Sequence, residues 1–346
     1  MKAVVKSAPT PGHLACIEMP MPIVKEKDVL IRVKAAGICG TDLSLWDWKE
    51  AVARTYSISS FPKVLGHEFS GIVEECGPGV DGLRPGDRVV VNPVMYCGKC
   101  SYCAAGAVAV CENRPMLGAE LDGGFAEFVS VRASSVIPIP ESISYESAAV
   151  IEPLCVAIQA VEKVPPAFGD VAVVVGAGPI GLLIALVLST SYTSKVLVTG
   201  LKSDAERLGV ARQMGAIPVN LDEEDPLELV RNMTGGAGAD VVYEAAGHPV
   251  AILQAIEMVR PRGSVCLAGL PGLPTEIPTV KVTFQEKMLV GTRATAVGNW
   301  AQAIRMISAG RIDPTVVVSH RFSLAEAEGA FHMAKNRQGI KVLLIP

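Results

Sequence analysis

From residue 171 onward, short valine-rich runs alternate with longer mixed stretches, and glycine, proline or charged residues bound each run. Continuous β-branched runs of this kind mark strands buried on both faces, whereas the stretches between them carry a helical period. The pattern predicts strands at 171–175, 195–199, 217–220, 240–244, 263–268 and 287–291, with helices opening near Pro179, Asp204, Pro226 and Pro249. Such alternation predicts an α/β architecture with a doubly wound parallel sheet. Upstream the texture differs: short β-rich runs at 29–33, 71–74 and 88–91 are separated by turn punctuation such as Gly77-Pro78-Gly79 and Arg84-Pro85-Gly86-Asp87. These runs predict a partly open β-barrel. After about residue 292 the chain returns to a helix at 299–310, a strand at 315–319, another helix and a final strand at 341–345. The expected organisation is therefore a first domain made of residues 1–153 and 293–346, with residues 154–292 inserted as a second domain and an active cleft between the two.

Length supports two domains, since 346 residues exceed what one hydrophobic core usually organises. Half the residues are hydrophobic and only 5% aromatic, the composition of a globular α/β protein. A net charge of −4 without a long basic run leaves no electrostatic footprint for nucleic acid or an anionic membrane, so a small molecule is the expected partner. The longest apolar stretch, 171–188, is broken by Gly176, Gly178, Pro179 and Gly181, which makes it strand, turn and helix rather than a membrane span. Pro9 and Pro11 interrupt the amino terminus before a secretory h-region could form. Nine cysteines, an odd number, point to a reducing compartment and a cytoplasmic location.

Four of those cysteines, Cys97, Cys100, Cys103 and Cys111, are spaced to converge on one soft divalent ion. Four thiolates leave no open position, so the expected role is a structural zinc site in a lobe at about 93–115; the alternative is a set of packed or disulfide-bonded cysteines. A second feature is Gly176-Ala177-Gly178-Pro179-Ile180-Gly181, which follows the first buried strand and opens an apolar helix. In that context the glycines permit a tight turn, close approach of a pyrophosphate and close helix packing, which predicts a Rossmann dinucleotide site. The second strand ends in Gly200, where a carboxylate would otherwise accept the adenosine ribose hydroxyls. With Lys202 and Ser203 following, the loop leans toward NADP over NAD, although Lys202 also reads as a solvated lysine and Asp204 as a residue that bends back to the ribose. Arg207, Ala268, Gly269, Leu270, Thr292 and Arg293 are expected to complete the cofactor contacts, with a surface salt bridge the other reading of Arg293. Finally, Gly37-Ile38-Cys39-Gly40-Thr41-Asp42 and Gly66-His67-Glu68-Phe69-Ser70-Gly71 supply a thiolate, an imidazole and a carboxylate close together in sequence, the mixed donor set of a catalytic zinc with a free position.

These motifs, together with Ser319-His320-Arg321-Phe322 near the end, closely resemble the zinc-dependent medium-chain dehydrogenase/reductases over nearly the whole chain. Ile151-Glu152-Pro153-Leu154 is similar to the polyol (sorbitol) and threonine dehydrogenase branches. The resemblance implies a GroES-like catalytic domain, two zinc ions per chain, NAD(P) and a homo-oligomer, dimer or tetramer. It further implies that Cys39, His67 and Glu68 are direct zinc ligands, that Glu152 binds the metal or holds its water, and that Thr41 carries the alcohol proton away. Ser44 stands where many relatives have a histidine, which leaves the proton a route through Ser44, ordered water or the cofactor ribose; the alternative readings make Cys39 a core thiol, His67 a satisfied buried histidine or Cys155 a competing ligand. Trp46, Trp48, Tyr56 and Phe125 are candidates to line the cleft or the core. The expected reaction is hydride transfer between a polyol, diol or other secondary alcohol and NAD(P), giving the ketone. L-threonine 3-dehydrogenase is the alternative, and a non-catalytic NADPH-binding relative the remote one.

Overall fold

Burial follows the two textures. The computed structural model describes residues 1–50, 55–191 and 193–346, and its contacts divide the chain into a first unit, Met1–Glu152 with Trp300–Pro346, and a second, Pro153–Asn299.

The first unit begins with β1 (Lys2–Lys6), β2 (Leu14–Glu18) and β3 (Asp28–Gly37), then helix α1 (Gly40–Trp46), β4 (Lys63–Val64), β5 (Glu68–Cys76) and β6 (Arg88–Val91). A short helix α2 (Ser101–Ala104) lies in the cysteine lobe, followed by β7 (Phe128–Arg132), β8 (Val136–Pro138), α3 (Tyr145–Ala149) and the start of α4 (Ile151–Lys163). In the second unit, β9 (Val171–Val175), α5 (Pro179–Leu188), β10 (Lys195–Gly200), α6 (Ala205–Gln213), β11 (Ile217–Asn220) and α7 (Pro226–Met233) form one half. The other half is β12 (Ala239–Glu244), α8 (Pro249–Met258), β13 (Val259–Leu267), α9 (Thr279–Phe284) and β14 (Met288–Gly291). Helix α10 (Val297–Ser308) leads back to the first unit, which ends with β15 (Val318–Ser323), α11 (Ala327–Lys335) and β16 (Lys341–Ile345).

In the first unit a seven-stranded sheet runs β15-β16-β3-β5-β6-β8 with β7 also on β3, and a three-stranded sheet runs β2-β1-β4. Ile31, Val33, Phe69, Val89, Val129, Phe331 and Leu344 close its core. The long β3 alternates only in its middle, where Arg32 and Lys34 face outward between buried Ile31, Val33 and Ala35, and it is buried at every residue of 29–31 and 35–37. The second unit holds six parallel strands in the order β11-β10-β9-β12-β13-β14, and every residue of β9 is buried. Strand order reverses between β9 and β12, which places the crevice for a ligand at the carboxyl end of β9. The GroES-like barrel and Rossmann expectations both hold.

One element differs. The strand expected at 315–319 is a 3₁₀ turn over Pro314–Val317, and β15 starts only at Val318. The Asp313 carboxylate accepts the Thr315 N–H at 2.9 Å and Pro314 has no N–H to give a ladder, so side-chain capping outcompetes the apolar run. The helix expected at 299–310 runs from Val297 to Ser308.

Candidate active site and metal centres

The lobe cysteines sit on a loop that α2 tightens: Cys100 caps the helix by accepting the Cys103 N–H at 3.5 Å. All four sulfurs lie within 4.8 Å of one another, with Cys97 to Cys111 at 3.5 Å, Cys100 to Cys111 at 3.9 Å and Cys97 to Cys103 at 4.0 Å. A tetrahedron of sulfurs about 2.3 Å from a zinc ion has edges of about 3.8 Å, whereas a disulfide needs about 2.05 Å. The spacing fits an ion and excludes disulfide bonds. Backbone N–H groups of Glu112 and Cys103 pull the Cys100 thiol down to about 6, and burial with neighbouring sulfurs pushes Cys103 up to about 12. A divalent cation relieves the second effect by neutralising the crowded thiolates.

The mixed donor set is built by the ends of two adjacent strands. Cys39 follows β3 at the mouth of α1, His67 immediately precedes β5 and Glu68 opens it, and β5 pairs with β3 so that Gly37 faces Glu68. The Cys39 sulfur, a His67 ring nitrogen and a Glu68 oxygen all fall within 4.8 Å of one another. Asp42, fully buried on α1, organises them. Its Oδ2 accepts the Cys39 N–H at 2.9 Å, and its Oδ1 accepts the Gly66 N–H at 3.3 Å and faces His67 Nδ1 at 3.5 Å. Burial alone would lower the His67 pKa, but Asp42 and Cys39 outweigh it and hold the imidazole well above its ordinary value. An electronegative pocket of this kind suits a cation. Lys341 from β16 supplies the counter-charge: its Nζ donates to Glu68 Oε1 at 2.9 Å, Glu68 Oε2 at 2.7 Å and the Ile38 carbonyl at 3.1 Å. A Cβ at Gly37 would strike Glu68 Oε2, so glycine there lets the Glu68 carboxylate keep its bonds to Lys341. Glu152, in the first turn of α4, stands outside the converging atoms. Burial first, and the Glu68 charge with it, push its carboxyl up to about 7 against the pull of His67 and Lys341. Asp42 and Lys341 received no role in the sequence reading. Asp42 lay inside the quoted motif, while nothing near Lys341 distinguished it from a terminal-strand lysine.

Thr41 and Ser44 are half-buried on α1, three residues apart and so on one face of the helix. Cys155 is fully buried and belongs to the second unit. Trp46 and Phe125 are core residues, each edge-on to Phe331, and Trp48 packs against Phe61.

In the second unit the glycine loop has the form a dinucleotide needs. Gly176 has φ +105°, Gly178 caps α5 with open space where a Cβ would stand, and a Cβ at Gly181 would strike the Gly176 carbonyl. Pro179 and Ile180 form the first turn of α5, whose N-terminus therefore faces an open cradle suited to phosphate. Beyond β10, Lys202 and Ser203 are exposed, and Asp204 is turned inward. Its carboxylate accepts the Leu201 N–H at 3.1 Å and pairs with buried Arg207 at 3.3 Å. A carboxylate that the sequence reading did not weigh, Asp222, accepts the Lys202 N–H at 2.6 Å. Ala268 and Gly269 follow β13 and donate to the Glu244 carbonyl at 2.8 and 2.9 Å, Leu270 and Arg293 are exposed, and Thr292 follows β14 with its hydroxyl buried and unpaired.

Residues 25–141 match the alcohol dehydrogenase GroES-like domain family, and residues 179–309 match the zinc-binding dehydrogenase family. The chain is 37% identical to a sorbitol dehydrogenase of Halalkalibacterium halodurans and 37% identical to an L-threonine 3-dehydrogenase of Bacillus subtilis, over 100% of this chain and 99% of each relative. A solved alcohol dehydrogenase, RspB of Escherichia coli CFT073 in complex with NADH, shares 31% identity at a TM-score of 0.89. A zinc-binding dehydrogenase of Sinorhizobium meliloti 1021 bound to NADP shares 30% at 0.91, and both structures align over 100% of this chain and 99% of theirs. The chain belongs to the zinc-binding dehydrogenase family with a GroES-like domain. Within that family it is a zinc-dependent alcohol dehydrogenase that uses NAD(P).

Proposed function

We propose that the protein interconverts a polyol or diol and the corresponding ketone, with a catalytic zinc held by Cys39, His67 and Glu68. The observation that carries this reading is the convergence of one thiolate, one imidazole and one carboxylate, with the Glu152 carboxyl beside them. Zinc held by Cys39, His67 and Glu68 would supply Lewis acidity toward an alcohol oxygen, and a dinucleotide on the glycine loop would supply the hydride acceptor. The chain's own residues do the remaining work. Asp42 sets a carboxylate 3.5 Å from His67 Nδ1, Lys341 balances Glu68, and the Thr41 hydroxyl takes the alcohol proton, which leaves through Ser44 on the same helical face, ordered water or the cofactor ribose. Glu152, in the first turn of α4 with its carboxyl pushed up by burial and by Glu68, is placed to hydrogen-bond a substrate hydroxyl. The first unit serves as the catalytic domain, its lobe closed by a structural zinc on Cys97, Cys100, Cys103 and Cys111, and the second as the dinucleotide domain.

A threonine dehydrogenase is the second reading, since a relative of that name is as similar as the sorbitol dehydrogenase. Turnover of sorbitol, xylitol, 2,3-butanediol and L-threonine, each with NAD and NADP, separates the two; activity on threonine alone overturns the polyol reading. NADP is the proposed preference, supported by Gly200 and exposed Lys202 and Ser203 and opposed by Asp222. A second copy of the chain is the proposed partner. Strand β14 ends its sheet with an open edge, and Val280, Phe284 and Met288 are exposed beside it, Phe284 at 86%. The cytoplasm is the proposed location, supported by nine cysteines none of which is in a disulfide bond. Among the described residues no helix is long and apolar enough to cross a membrane.

A further inference from the structure

Glu244 ends β12 with its side chain fully buried, and neither metal centre uses it. Its Oε1 accepts the N–H groups of Ala246 at 2.8 Å and Gly247 at 2.7 Å, while Oε2 is enclosed without a hydrogen-bond partner. The backbone carbonyl of the same residue accepts the N–H groups of Ala268 and Gly269. One residue therefore fastens two loops, 245–247 leaving β12 and 268–270 leaving β13. The loops touch. A Cβ at Gly247, where φ is +66°, would lie 2.6 Å from the Leu270 carbonyl oxygen, and one at Gly269 would lie 2.7 Å from Glu244 Oε2. On its other side the first loop backs onto the glycine turn, since a Cβ at Gly176 would lie 3.1 Å from the Ala246 nitrogen. Burial raises the Glu244 carboxyl above its ordinary range, while the Gly247, Ala246 and Gly269 N–H groups oppose that shift.

A dinucleotide crosses a doubly wound sheet at the point where strand order reverses, with its pyrophosphate on the first turn and its two nucleosides on opposite halves. The adenosine half belongs to β10. The loops after β12 and β13 therefore flank the nicotinamide half. We propose that Glu244 is a positioning residue for the nicotinamide end of the cofactor, acting through loops 245–247 and 268–270. The inference rests on the dinucleotide reading of the glycine loop.

The test compares the Kd of the zinc-loaded protein for its preferred reduced dinucleotide with that for the nicotinamide-free fragment, ADP-ribose or its 2′-phosphate. Glu244→Ala is expected to weaken the dinucleotide by about ten-fold or more and leave the fragment within about two-fold. Glu244→Gln keeps an acceptor at Oε1 and should restore dinucleotide affinity to within about three-fold of wild type. If Glu244→Ala does not fold, Glu244→Asp, which keeps the charge and shortens the reach, must show the same selective loss. Equal loss on both ligands, or no loss, overturns the proposal. A wild type that binds neither ligand overturns the dinucleotide reading and this proposal with it.

Discussion

Lys341 and Glu68 form an enclosed ion pair, with the lysine also bonded to the Ile38 carbonyl, so a cation from the last strand lies against the Cys39, His67 and Glu68 cluster. Without it, the Glu68 carboxylate would face Cys39 and Glu152 with His67 as its sole positive neighbour among the groups that shift Glu152. Lys341→Met is expected to destabilise the protein by about 3–5 kcal/mol, because removing one partner leaves the other buried and unpaired. Urea unfolding of the two proteins, both stripped of the zinc equivalent proposed at Cys39, His67 and Glu68, checks this; a loss below about 1 kcal/mol would show that Glu68 finds another partner. Cys39→Ser and His67→Ala act on chemistry instead. Both should abolish alcohol oxidation while leaving dinucleotide Kd within about three-fold, since the glycine loop belongs to the other unit. Parallel loss of turnover and cofactor binding would indicate misfolding.

At the scale of elements, the turn from β10 into α6 decides the cofactor. Asp204 faces inward to Arg207, which leaves Lys202 and Asp222 as the charges presented to a ribose 2′-phosphate. Lys202→Ala should raise the Michaelis constant for NADP by about three- to ten-fold and leave that for NAD unchanged, a modest effect because the lysine is exposed. Asp222→Asn should lower the NADP constant by a similar factor, and a wild type that prefers NAD ten-fold with neither variant shifting it would remove the NADP preference. Strand β9 stands where the sequence predicted it because a run buried on both faces needs no partner information to be read. The 315–319 run misled because Asp313-Pro314 imposes a local turn that outweighs β propensity. Asp42, Lys341 and Glu244 were illegible for a different reason. Their roles come from neighbours in space, and Lys341 meets Glu68 across 273 residues of chain. No periodicity encodes that.

For the whole molecule, the two clusters predict two zinc ions of different lability. The four-cysteine site has no free position, whereas the Cys39 set must leave one for substrate. Dialysis against a chelator should first remove one equivalent together with all turnover, and the second should leave only as the lobe unfolds; a single equivalent bound through the lobe cysteines would defeat the catalytic assignment. Assembly follows from the opposite edge of the parallel sheet. A free strand edge flanked by exposed aliphatic and aromatic side chains is an aggregation hazard unless covered, and two-fold pairing of β14 with its own copy covers both edges at once. Phe284→Glu puts a charge into that face, which would be repeated against itself across a two-fold axis. Light scattering at micromolar concentration should therefore show wild type as an oligomer and Phe284→Glu shifted to a smaller species, with both zinc equivalents retained. A monomeric wild type, or a variant with unchanged mass, would mean that another surface covers the edge or that nothing does.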